Sequence, residues 1–356
     1  MKNISKHNFR NFLAAILVVT AMGLLTACGG GAGDKKDAKA GGDKALKLTF
    51  AAQEVGTAAY NYAAALQTVM LKELPKGSSI DITTTSPGGV GAPVIVNNAE
   101  ECDIVMSNAG PAKWSFEQGK DKYKFGDCKN IACIAGGIGN DFVNVMFTKE
   151  FVDKTGCKTI EEVMQKKIPF KMAIKKNGTF GELSAEKVFE ALGISMKDAE
   201  AWGAKIEKTG GDAIKSGLQD GVYDMTIDHI GAGQSNTTEL CLTHPMYDVQ
   251  LGKDTMEKLR TMGYEYVKVP AGTWNGQDKE ITTVGSQQVV LVSSTMDDAT
   301  AYLLAKAICE HKDDLAKAQA AMKYLDPAKA GTKIMAGAPV HPGALKYYKE
   351  KGYKVD

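Results

Sequence analysis

Apolar residues recur along the chain with two periods, and the two periods alternate. Leu46 to Ala52 is a short β-rich run that leads to Gly56 and Thr57. Ala63, Leu66, Met70 and Leu74 then fall on one helical face, until Pro75 ends the pattern. Ser79 to Thr85, rich in Ile and Thr, predicts a second strand, and Ser86-Pro87-Gly88-Gly89 breaks it. Pro93 opens a short helix ending near Glu100. Asp103 to Ser107 predicts a third strand, followed by an Asn108-Ala109-Gly110-Pro111 turn. A second set begins after Gly136-Gly137. Strands are expected over Phe142 to Phe147, Phe170 to Ile174 and Asp224 to Ile230. Between them lie a helix carrying Ala185, Val188, Phe189 and Leu192, stopped by Gly193, and a shorter one from Ala213 to Leu218. Val284 to Val292 reads as one long β-branched strand returning to the first set. From Asp297 the chain is mostly helical, and His341-Pro342-Gly343-Ala344 opens the last helix.

Strand, loop and helix in repetition predict an α/β protein. Its form is two doubly wound lobes, each around a mostly parallel sheet, with two crossovers between them. The boundaries expected are 46–139 with 287–356 for one lobe and 140–286 for the other.

The N-terminus has its own pattern. Lys2, Lys6 and Arg10 precede an apolar stretch from Phe12 to Leu25 that is short for a membrane span. Leu25-Thr26-Ala27-Cys28 resembles a bacterial lipobox, which implies removal of residues 1–27 and lipidation of Cys28. An ordinary signal peptide or an uncleaved anchor is the alternative. Residues 28–45, dominated by Gly, Ala, Lys and Asp, read as a flexible tether. The folded part is expected outside the cytoplasmic membrane, in the periplasm or at the cell surface, held to the membrane by lipid.

Charge changes this picture in two ways. The chain has 43 basic and 42 acidic residues, which argues against a nucleic-acid binder. Removing residues 1–27 takes three basic residues and no acidic ones, leaving 40 against 42 and a formal charge of −2. It also takes Arg10, so Arg260 is the one arginine left. Six cysteines remain after Cys28: Cys102, Cys128, Cys133, Cys157, Cys241 and Cys309. Export permits disulfides. Buried thiols are the plainer reading for Cys102, Cys133 and Cys309, while Cys128 and Cys157, in loop-like sequence, are the better bridge candidates. Cys241 and His244 have a ligand spacing but no second pair to complete a zinc site.

Ligands in such folds bind outside the carboxyl ends of the strands. Three loops there share a chemistry: Gly56-Thr57, Ser86-Pro87-Gly88-Gly89 and Asn177-Gly178-Thr179. Each joins a strand to a helix. Glycine permits close backbone approach, and a helix N-terminus offers free N–H groups to an anion. Ordinary capping and turn chemistry is the alternative for each loop taken singly. With one arginine remaining, a carboxylate would be gripped by backbone, hydroxyl and amide donors, not by a guanidinium fork. Gln53, Tyr60, Asn108 and Asp228 join these loops as candidate ligand contacts, with Tyr62 and His229 nearby. Asp228 is placed to accept from an ammonium group; its alternative is a turn or capping role. No nucleophile elbow or metal motif accompanies His229, and Asn177 to Gly181 lacks the ending of a P-loop, so neither enzyme chemistry nor a cofactor is expected.

On these residues the chain resembles the TAXI-type solute receptors of TRAP transporters. Thr49-Phe50-Ala51 through Gly56, Thr57 and Tyr60 is similar to that family's first strand and loop. Thr83 to Val90 with Asn97 and Glu100 to Ile104 is similar to its second. The most specific pieces are Pro339-Val340-His341-Pro342-Gly343-Ala344 and Tyr347-Tyr348-Lys349-Glu350-Lys351-Gly352. Pro270 to Trp274 adds a Pro-x-Gly-x-aromatic segment. Departures fall in the loops: Tyr60 sits one place late, and Thr179 stands where Ser is usual. The resemblance implies a type II periplasmic-binding-protein fold closing on a small carboxylated solute, a glutamate-like amino acid or a dicarboxylate. It also implies delivery to a membrane permease. A binding lipoprotein of an ABC importer, or a ligand-binding sensor or surface antigen, is the competing expectation.

Overall fold

The polar-apolar alternation of the strands is reproduced by two separate open sheets. The computed structural model describes residues 44–55, 57–99, 101–117 and 127–356. The signal segment, Cys28 and most of the tether, as well as Gly56, lie outside the described residues. Residues 40–356 fall within one unit.

The first sheet draws on β1 (Lys47–Ala51), β2 (Ser79–Thr83), β3 (Ile104–Asn108) and β4 (Ile131–Gly136). The chain then builds the second sheet from β5 (Asp141–Thr148), β6 (Lys171–Lys175), β7 (Lys205–Thr209), β8 (Met225–Gly231) and β9 (Met246–Asp248). A ribbon follows, β10 (Glu265–Val269) paired antiparallel with β11 (Ile281–Gly285), and β12 (Gln288–Ser293) returns to the first sheet. The strand orders are β2-β1-β3-β12-β4 and β7-β6-β8-β5-β9. They have one plan. In each sheet the fourth place is taken by a strand adjoining a crossover, and that strand runs antiparallel to both neighbours.

Two expectations need adjusting. Four of the five strands in each sheet run one way, as a mostly parallel sheet requires, but the fifth, joined to the other lobe by a crossover, runs against them. The single strand expected from Val284 to Val292 is broken at Ser286-Gln287, and its halves belong to different sheets. A third correction concerns Asn108 to Pro111. Asn108 ends β3 and Ala109 already opens a helix, Ala109–Glu117. The N–H of Ala109 donates to the Gln287 carbonyl, and that of Gly110 to the Ser286 hydroxyl, so the crossover supplies the cap.

Each sheet is covered on both faces. Phe50, Ile104, Ile134, Val290 and Val292 pack on one side of the first sheet, against the helices Ala58–Glu73, Asp298–Glu310 and Pro342–Glu350. Ala51, Val105, Cys133, Val289 and Leu291 face the other side. Neighbours along a strand thus go to opposite cores, the period of two written in the sequence. In the second sheet Val143, Val145, Met225 and Ile227 pack on the helix Phe180–Leu192, and Phe142, Met146 and Ile230 on the ribbon. The six cysteines Cys102, Cys128, Cys133, Cys157, Cys241 and Cys309 are all buried and none is bridged to another, so Cys128 and Cys157 do not form the bridge considered above. Among the described residues no helix is long and apolar enough to cross a membrane, and no cluster of side chains is arranged to hold a metal.

Candidate functional site

Two of the three glycine loops meet across the lobes. Gly88 has φ +111°, and a Cβ there would stand 3.0 Å from Gln53 Nε2 and 3.0 Å from the Gly178 carbonyl oxygen. A Cβ on Gly178, at φ +83°, would lie 3.3 Å from the Pro87 carbonyl. Gly89 lies against Asn108 Oδ1, which is 2.5 Å from where its Cβ would be. Only glycine allows this approach at such dihedrals. Beside the contact is a cavity of about 20 Å³, lined among others by Gln53, Ser86, Gly88, Gly89, Ala59 and Ala63. That is room for about one water. A larger depression of about 530 Å³, bordered by Glu186, Phe189, Gly193 and Lys197, lies away from all the glycine loops. It is an open surface hollow, whereas the smaller cavity lies where the two glycine loops meet.

The hydroxyls of the two threonines are engaged locally. Thr57 caps the helix Ala58–Glu73: its Oγ1 accepts from the Tyr60 N–H at 3.2 Å and donates to the Glu54 carbonyl at 2.7 Å. Thr179 caps Phe180–Leu192 in the same way, accepting from Glu182 N–H at 3.2 Å and donating to the Lys176 carbonyl at 2.8 Å. The Gly178 N–H donates to Glu182 Oε2 at 3.2 Å, so this helix end already faces a carboxylate of its own. Asn177 is exposed, and its Oδ1 accepts from Lys208 Nζ at 2.9 Å. Ser86 Oγ accepts from the Gly88 N–H at 3.3 Å. Tyr60 packs, half-buried, on the first core.

Asp228 is buried and doubly partnered. Its Oδ1 accepts the His229 N–H at 2.8 Å, and its Oδ2 lies 3.3 Å from Lys175 Nζ. Burial raises its carboxyl above the usual range against the pull of Lys175. His229 Nε2 accepts the Ser286 N–H at 3.0 Å, and burial lowers the imidazole to about 3, so it is neutral with its proton on Nδ1. Asn108 Nδ2 donates to the Ser286 carbonyl at 3.0 Å. Ser286 therefore ties the end of β3 in one lobe to β8 in the other.

Three features were not expected from sequence. Lys175 serves Asp228. Trp114 and Val90, from the first lobe, are buried in the core of the second; the Trp114 ring stands 6.0 Å from Phe180, edge to face, and 6.2 Å from Tyr264. Asp141, the first residue of β5, is 3% exposed and sits where the lobes join. Gln288 Nε2 donates to its Oδ2 at 2.6 Å, while its Oδ1 is buried without a hydrogen-bond partner. Burial pushes its carboxyl up to about 7, with the Gln288 and Asn108 side chains opposing the rise and the charge of Asp228 adding to it. A polar residue at each end of the otherwise apolar start of β5, Asp141 and Asn144, was the available signal.

Residues 50–352 match the NMT1-like family. The chain belongs to that family. Among solved structures it resembles MatC (Rpa3494) from Rhodopseudomonas palustris with bound malate, at 12% identity, TM-score 0.50, and coverage of 86% of this chain and 97% of that one. It is also similar to the periplasmic binding protein BugD, at 14% identity, TM-score 0.47, with 87% and 98% covered. An adipate-bound R. palustris protein, Rpa4515, matches at 12% identity and TM-score 0.47, with 75% and 83% covered. No curated protein matches it in sequence. The likeness to MatC at low identity is one of fold: this NMT1-like chain has the two-lobed architecture of periplasmic binding proteins, with two five-stranded open sheets.

Proposed function

We propose that this NMT1-like protein is an extracytoplasmic solute receptor of the TAXI type, serving a TRAP transporter. It captures a small carboxylated solute, a glutamate-like amino acid or a dicarboxylate, and makes or breaks no bond. Residues 46–139 with 287–356 act as one lobe and 140–286 as the other. The carrying observation is the meeting of the Pro87-Gly88-Gly89 and Gly178-Thr179 backbones from opposite lobes beside one small cavity that Gln53 and Ser86 help to line. A solute larger than water enters only when these loops part, so binding and closure are coupled.

Gln53, Ser86, Gly88, Gly89 and the N-terminal turn at Gly56, Thr57 and Tyr60 form the carboxylate end in this reading. Asn108 stands beside them, while Asn177, Gly178, Thr179 and Asp228 close from the second lobe. Malate, the ligand of MatC, is of the solute class proposed. The lipobox-like Leu25 to Cys28 and the Pro339 to Gly352 ending support the anchored, TAXI-type form. The partner is then a multi-span permease driven by an ion gradient, and Cys28 carries the lipid.

Isothermal titration of the exported protein against amino acids, dicarboxylates, sugars and choline tests the solute class. Saturable binding of a carboxylated solute is expected. Binding of a neutral sugar or choline with no carboxylate bound sinks the reading. Solute uptake by the reconstituted receptor and permease should collapse when the ion gradient is dissipated and persist without ATP.

A further inference from the structure

Resting on that reading, we propose that Asp141 receives an ammonium group of the solute, so that the natural ligand is an amino acid and not a dicarboxylate. The two candidate carboxylates differ in what they still have to offer. Asp228 has each oxygen engaged, one by the His229 N–H and one by Lys175. Asp141 has one oxygen held by Gln288 and the other, Oδ1, buried and unpartnered. A buried carboxylate oxygen with no donor is costly, and a donor supplied by a ligand recovers that cost.

Asn108 approaches Asp141 closely enough to oppose the rise of its carboxyl, but Oδ1 itself is left without a hydrogen bond. Gln288 Oε1 is also buried without a partner. The Tyr62 hydroxyl approaches from the first lobe, 3.3 Å from where a Cβ on Gly231 would stand. Gly139 and Gly231 border Oδ1 and leave it uncovered: a Cβ on either would lie 3.1 or 2.8 Å from that oxygen. A primary ammonium offers three N–H donors, matching two orphaned oxygens and a hydroxyl. Burial holds the empty carboxyl at about 7, and a bound cation would fix it in the charged form.

Position completes the argument. Ala59 and Ala63 of the helix Ala58–Glu73 line the small cavity, and Tyr62 on that helix faces Asp141. Asn108 lies between, with Oδ1 against Gly89. The glycine loops and Asp141 are therefore neighbours along one helix. Tyr62, Gln288 and Gly231 come from both lobes, so opening exposes Oδ1 and closure encloses the ammonium.

Matched pairs titrated into the full-length protein test this: glutamate against glutarate, aspartate against succinate, and simple alkylamines lacking any carboxylate. Amino acids are expected to bind about tenfold or more tightly than their deaminated partners. Asp141→Asn should erase that preference. Gly231→Ala, which crowds Oδ1 without touching Asp141, should weaken amino acids more than dicarboxylates and serves if D141N does not fold. Equal or tighter binding of the dicarboxylates overturns the inference but leaves the carboxylate receptor standing. Amines that bind while carboxylates do not overturn the receptor reading and keep Asp141. A panel in which no ammonium-bearing solute binds overturns the inference whatever the carboxylates do.

Discussion

Two buried residues at the lobe junction titrate in opposite senses. Asp141 is held at about 7 against an ordinary 3.8, so the folded protein holds its proton more tightly than the unfolded chain does. Stability from this residue is therefore greatest below about pH 4 and falls as pH rises towards 7. Asp141→Asn mimics the protonated form, and its gain in melting temperature over wild type should grow between pH 5 and pH 8. The whole effect is on the order of 3–4 kcal/mol. His229, lowered to about 3 from 6.5, contributes the reverse. Its neutral ring stabilises fully above pH 6.5, and that contribution is lost as pH falls towards 3. His229→Gln should flatten the acid limb of a melting curve taken from pH 7 to pH 4; an unchanged limb would show that His229 charges freely in the folded state. Neither behaviour was visible in sequence. The partners of Asp141 (Gln288, Tyr62 and Gly231) are brought to it by the sheets and crossovers, and nothing local to Asp141 marks them.

At the scale of elements, glycine loops and strands were legible because their signals are local. Ser86 to Gly89 breaks a strand by composition, and the alternation in β1 assigns residues to two faces directly. The break at Ser286-Gln287 was written in Gly285-Ser286-Gln287-Gln288, four residues without an apolar side chain, but the β-branched runs on either side masked it, and the pairing partners separate β11 from β12. The loops themselves prove more specialised than their shared composition. Thr57 and Thr179 act first as N-caps, and alanine at either should cost about 1 kcal/mol in chemical denaturation. In the proposed receptor Gly88 acts through closure. Gly88→Ala places a methyl 3.0 Å from the Gly178 carbonyl in a dihedral region hostile to side chains. Solute affinity should fall about tenfold or more, a larger loss than for Thr179→Ala. Titration of the two variants side by side makes that comparison. The Lys176–Glu54 pair across the same gap, at 3.5 Å with both side chains exposed, should contribute little when removed.

At the scale of the molecule, closure is held by apolar burial as well as by loops. Trp114 leaves the first lobe and is 3% exposed in the core of the second. Parting the lobes must bring it towards water. Its emission should move to shorter wavelength and gain intensity on solute binding, and Trp114→Phe should remove that change while Trp202 and Trp274 still fluoresce. A signal surviving the substitution would place the moving surface elsewhere. The order of the strands also sets an order of assembly. The second sheet is complete once residue 248 has been made, whereas the first waits for β12, which ends at residue 293. A chain emerging from its N-terminus thus holds β1 to β4 unfinished while the later lobe is already able to close its own sheet. Any factor that binds the unfinished chain would find its target in those four early strands, not in the part of the chain that emerges last.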